Sequence, residues 1–250
     1  MTRATRLLFL MHFVGNALLL WLGYYWLGVG ESTMIRLLWS ALVAIVIMCG
    51  ALYLHGTTLV YFSGEDRTSL SPALHTVLKH LGGLFVLAIV VLVVYGLLSA
   101  WQTYSPHPAT MVASWFTLKG RKPVKPTTIL AIMNAVLWVV RWLMLPIMLL
   151  PVAAEVASKG LHISPADAWT RARRWRYWIE VLALMIVGLW VPLKLILWVP
   201  KVGGFTMQMG SFMFRLVVAY LLFVGAWLLV ERFSSGGSPR VSQPETVPVP

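Results

Sequence analysis

Three groups of residues in this sequence have the type and spacing to do chemistry, and Arg141 is the most informative of them. It stands about twelve positions into an apolar run from Ile129 to Ala154. At that depth in a bilayer a charge costs at least about 2.5–3.5 kcal/mol, so the guanidinium must turn toward other helices and meet carbonyls, a hydroxyl or an acid. Asn134, seven residues earlier, falls on the same helical face two turns away. Asn16, in the middle of the first apolar run, is the best side-chain candidate across helices. The acids near the runs, Glu155, Glu180 and Glu231, fall at run ends on one side, so none is placed to meet Arg141. Lys194 and Arg215 lie nearer run ends, where a long basic side chain can snorkel to the headgroups. A polar solute pathway and a structural buried arginine are both open readings of Arg141.

The second group is His12 and His55. If the first two runs form an antiparallel hairpin, these histidines lie about five and about seven residues from the same end, a depth difference of about 3 Å. Two imidazoles at matched depth could hold haem iron axially. Lone intramembrane histidines are often only hydrogen-bonded within the bundle, and the chain has no haem-attachment cysteine motif. No cofactor and no metal is therefore expected.

The third group is Arg171, Arg173, Arg174 and Arg176, set among Trp169, Trp175 and Trp178. Guanidinium groups beside interfacial indoles can reach anionic lipid headgroups, at roughly 1 kcal/mol per basic residue. The cluster reads either as an anchor for the following span or as a specific lipid or partner site. There is no Walker A motif, no GxSxG, no HExxH and no paired carboxylates, so no catalytic residue is assigned and no enzyme is expected. The lack of acids deep in the runs also argues against proton- or cation-coupled transport.

The elements that must position these residues follow from composition. The chain has 250 residues, 59% hydrophobic and 11% charged, with a mean hydropathy of +0.80. A soluble domain holds about 45–50% apolar and about 25% charged residues, so most of this surface must face lipid. Six apolar runs are long enough to cross about 30 Å of hydrocarbon: 7–27, 37–62, 84–101, 129–154, 179–199 and 212–230. The fourth carries Arg141, Pro146 and Pro151, which predicts a kink. The first run is far longer than the roughly 7–15 residues of a signal-peptide core, so it is read as a retained span. The expected fold is an all-α polytopic transmembrane bundle of about six spans plus short interfacial amphipathic helices. Residues 1–233 form one membrane domain, and 234–250, rich in Ser, Gly and Pro, form a disordered tail.

The net charge of +12 lies between the apolar runs, which points to lipid headgroups and not to nucleic acid. With the N-terminus inside, 11 of the 20 Lys and Arg residues fall on the cytoplasmic side and seven outside. That bias favours both termini in the cytoplasm of a bacterial plasma membrane, although the Lys119–Lys125 cluster opposes it. The single Cys49 supports neither a disulfide framework nor a thiolate metal site.

Two segments share a design. Ser71-Pro72-Ala73 and Ser164-Pro165-Ala166 each open a stretch of mixed polar and apolar residues that leads into a span. Ser can cap a helix and Pro can fill its first turn, and Asp167 completes a capping-box spacing. In the first copy Ala73, Leu74, Val77, Leu78 and Leu81 form one apolar face, as in an interfacial helix bending into the bilayer. An internal repeat, frequent in transporters, and two independent Ser-Pro helix starts both account for this. The stretch Ser164–Gly188, and more loosely Ser71–Gly96, resembles the bacterial six-span membrane families that include the glycerophosphodiester phosphodiesterase membrane domain. In those families any catalysis sits on a separate soluble domain, so the resemblance implies an architecture and no activity.

The function expected from sequence is a non-enzymatic scaffold, assembly factor or accessory subunit, with the bilayer, anionic lipids and membrane proteins as partners. The alternatives are a permease-like transporter of an anionic or lipid-like solute using Arg141, and a haem-bearing electron-transfer subunit using His12 and His55.

Overall fold

The computed structural model describes residues 3–30, 32–64, 69–120, 123–162, 170, 172–200 and 203–235. The Ser164–Asp167 capping box, Trp169, Arg171 and the tail beyond 235 lie outside them. Six helices are long and apolar enough to cross a membrane: α1 (Arg3–Leu27), α2 (Met34–Ser63), α3 (Ser71–Tyr104), α5 (Pro126–Lys159), α6 (Trp175–Leu197) and α7 (Phe205–Ser234). A shorter helix, α4 (Pro106–Lys119), follows α3. No strand occurs among the described residues. The chain is a multi-pass α-helical membrane protein.

The long helices begin at or before their apolar runs and, α6 excepted, last to the run's end or beyond, because lipid demands that every backbone polar group be bonded and the helix is the way to do so within one segment. The overrun is largest in α3, whose 34 residues span about 51 Å, well beyond the hydrocarbon thickness. Its first turns, read from sequence as a surface helix bending into the bilayer, continue without a break into the span. Ala73 and Val77 on their apolar face are buried, while His75 and Lys79 are exposed. The helix α4 was not foreseen. Pro106 at its start supplies the fixed φ that suits a first turn, and Ala109 and Ala113 on one face are buried.

The described residues divide into two compact units, one within Met1–Leu84 and Pro151–Pro250 and the other Phe85–Leu150. In the first, α1 and α2 form a hairpin, α7 packs on both, and α6 packs on α7. The start of α3 joins through a cluster of Ala4, Leu8, Tyr61, Leu70 and Ala73. The α6–α7 crossing is close: a Cβ on Gly188 would lie 2.6 Å from the Ala226 Cβ, so only glycine admits this approach. Gly160, at φ +72°, ends α5 in the left-handed conformation that glycine adopts without a steric cost.

In the second unit α4 packs on α5. Ser105, Ala109, Ala113 and Ile147 are its buried residues, and the stretch Pro126–Val139 buries none. Where the sequence predicts a kink in the fourth span, the helix has a π-helical turn at Val140–Met144, in which the Leu145 N–H reaches back to the Val140 carbonyl. Pro146 follows and has no N–H to offer. The carbonyl of Arg141 is thereby left without a helical donor, and the Tyr95 hydroxyl fills it at 2.7 Å. A second π turn, Ile186–Trp190 in α6, likewise precedes a proline, Pro192.

Candidate functional site

The first unit brings together six polar or aromatic groups from α1, α2 and α7. His12 and Asn16 lie four apart on α1, His55 and Thr58 three apart on α2, and Trp227 and Glu231 four apart on α7. Each spacing places both residues on one helical face. His12 is nine residues from the start of α1 and His55 eight from the end of α2. Their depths therefore differ by only about 1.5 Å, as the hairpin reading requires.

Glu231 is the hub. Its Oε1 lies 2.5 Å from His55 Nδ1, and its Oε2 lies 3.6 Å from His12 Nε2. The Trp227 indole N–H donates to His55 Nδ1 at 2.7 Å, so one ring nitrogen faces both an indole donor and a carboxylate. On the other side His12 Nε2 bonds the Thr58 hydroxyl, which also faces Glu231. Asn16 Nδ2 donates to the His12 carbonyl at 2.9 Å and approaches His12 Nδ1 at 3.3 Å. His12 is 0% exposed and Glu231 1%. A buried carboxylate is stable in lipid only when paired and hydrogen-bonded, and here the two imidazoles do that work. One acceptor remains: Glu231 Oε2 is buried without a hydrogen bond of acceptable geometry.

The sequence reading found His12 and His55 but left Glu231 at a helix end with no task. It also proposed Asn16 as a partner for Arg141, whereas Asn16 bonds His12. Nor do the two histidines fit haem. An axial pair must hold a porphyrin plate between its imidazoles, yet these rings meet edge to face with centroids 5.2 Å apart and both address one carboxylate. What the cluster can hold is a small cation.

The second unit carries Arg141. Its Nη2 donates to Ser99 Oγ at 2.6 Å and approaches the Tyr95 carbonyl at 3.5 Å, and its Nη1 reaches Gln102 Oε1 at 3.4 Å. Tyr95, Ser99 and Gln102 form a single stripe on α3 with spacings of four and three, a pattern visible in the sequence and not read there. Asn134, on the same helix as Arg141, is half-buried with its Oδ1 unbonded. A nearby cavity is lined by Val90, Val91, Val94, Tyr95, Leu145 and Leu149, an apolar lining that does not include Arg141.

Of the basic cluster, Arg173, Arg174, Arg176 and Trp175 are exposed, and Arg174 precedes the first turn of α6. Trp178 is half-buried and donates to the Ala172 carbonyl at 2.5 Å. Arg173, Arg174 and Arg176 thus stand at a helix N-terminus, where positive charge opposes the helix dipole. Arg215 differs from the snorkelling expected of it. It is buried and donates to the carbonyls of Leu195, at 3.0 Å, and Trp198, closing the C-terminal end of α6. Lys194 lies 5.6 Å over the Trp190 ring, and Glu155 pairs with Lys159 at 2.7 Å. Comparison with protein-family models, with curated proteins and with solved structures finds no match for this chain.

Proposed function

We propose that this protein is a non-enzymatic accessory or assembly subunit of a bacterial plasma membrane, with both termini in the cytoplasm. The observation that carries this reading is a contrast within the chain. The first unit is clasped internally by His12, His55 and Glu231. The Phe85–Leu150 unit buries few of its side chains and holds Arg141 only half-covered, bonded to one neighbouring helix. Half-covered guanidinium at membrane depth is costly against lipid, and burial beneath a partner's transmembrane helices removes that cost. The exposed Val86, Val90, Val93, Ile132 and Val136 offer the apolar surface for such packing, which in lipid depends on close van der Waals fit. The resemblance to six-span membrane domains enters as an architecture without activity, and Arg173, Arg174 and Arg176 as its hold on anionic lipid.

The test uses Arg141→Leu in the full chain. An accessory subunit, solubilised mildly, migrates in an assembly larger than the monomer. The variant keeps its fold, because an apolar group replacing a buried charge is neutral or stabilising, and its assembly weakens. A permease instead moves an anionic solute as a purified monomer in liposomes, and the same substitution stops that flux. Monomeric migration with flux would replace this proposal with the transport reading.

A further inference from the structure

We propose that His12, His55 and Glu231 bind one divalent first-row transition metal ion, with Zn(II) the best match. This inference is independent of whether the chain is an accessory subunit. One ligand atom from each of His12, His55 and Glu231, a ring nitrogen from each histidine and a carboxylate oxygen, all lie within 4.8 Å of one another. A tetrahedral ion with bonds of about 2.0–2.2 Å sets its ligand atoms roughly 3.3–3.5 Å apart. The 3.6 Å between His12 Nε2 and Glu231 Oε2 is already that spacing. The 2.5 Å between His55 Nδ1 and Glu231 Oε1 has to open by less than about an ångström as the ion replaces the hydrogen bond.

The second observation is Glu231 Oε2 itself, a buried oxygen lacking a good hydrogen bond and aimed at the His12 imidazole. An ion gives that oxygen its partner. The ion takes the one in-plane lone pair of His55 Nδ1, so the Trp227 N–H that now donates to it has to give it up. The donor set selects the metal. Two imidazoles disfavour Mg(II) and Ca(II), which prefer all-oxygen shells, and the absence of a thiolate among the three donors disfavours Cu(I). Two His and one Glu are a familiar zinc set with one position left for water, and the Thr58 hydroxyl stands beside His12 where it can bond that water. Three ligands from three different helices make the ion a clasp for α1, α2 and α7, while Asn16 keeps its bond to the His12 carbonyl.

The experiment takes the full chain, purified in detergent with a tag free of histidine. Metal is stripped with a chelator, Co(II) is titrated in, and the visible d–d bands are read before displacement by Zn(II). The expected result is one Co(II) per chain with the intense bands of four-coordinate cobalt, displaced by one equivalent of Zn(II). Glu231→Gln and His12→Gln should each weaken binding at least about tenfold, while His75→Gln and His107→Gln leave it unchanged. A helical, monodisperse wild-type protein that binds no Co(II) overturns the proposal without reference to any variant. So does binding that survives both ligand substitutions in folded protein, or binding lost on replacing His75 or His107.

Discussion

Tyr95 donates its hydroxyl to the main-chain carbonyl of Arg141 at 2.7 Å, at the turn of α5 where the helix itself has no donor to give. Leu145 has turned its N–H to Val140, and Pro146 carries none. Tyr95→Phe should therefore strand a carbonyl in lipid. Bonds of this kind in membrane bundles are worth about 0.6 kcal/mol on average and up to about 1.7. The expected outcome is a lowered thermal midpoint in detergent, with Tyr104→Phe, on the exposed end of α3, as the silent control. Equal midpoints for both would mean that the π turn satisfies itself.

The helix crossing at Gly188 makes a sharper test of packing. Gly188→Leu forces a side chain onto Ala226, and overpacking of this kind costs about 1–3 kcal/mol. Ala226→Gly in the same chain removes the atom that the new Cβ meets first. The single variant should unfold at lower temperature than Gly188→Leu combined with Ala226→Gly. If the double variant is no better than Gly188→Leu, the close approach of α6 and α7 is wrong.

The His55–Glu231 pair should show coupling in a double-mutant cycle. Removing one member of a buried hydrogen-bonded pair leaves the other unsatisfied and is destabilising by about 1–3 kcal/mol in soluble proteins. In lipid the figure is expected to be lower, because the unfolded chain also finds partners there. His55→Leu and Glu231→Gln together should cost less than the sum of the two separately, by at least about 0.5 kcal/mol. Strict additivity would separate the two residues energetically in spite of their contact.

Topology follows from the six spanning helices. Reporter fusions placed after Trp101 and after Ser234 should report opposite sides of the membrane, with the second on the cytoplasmic side. The same side for both would remove or add a crossing.

Much of the fold was legible in the sequence because lipid imposes a simple rule: a segment that crosses must be apolar for about 20 residues and helical throughout. The six runs, the trouble near Pro146 and the matched depth of His12 and His55 all follow from that rule. So does the need of Arg141 for polar company. The sequence did not say which company, because hydropathy fixes how deep a residue lies and leaves open how its helix is rotated and which helix stands beside it. Glu231, 176 residues from His55 along the chain, became its partner only when α7 packed across the α1–α2 hairpin. Asn16 went to His12 and Arg215 to the carbonyls closing α6 for the same reason. In a bilayer, where apolar burial does not distinguish neighbouring helix from lipid tail, close packing at residues such as Gly188 and hydrogen bonds between helices set the rotation. Those pairings exist only in the tertiary structure.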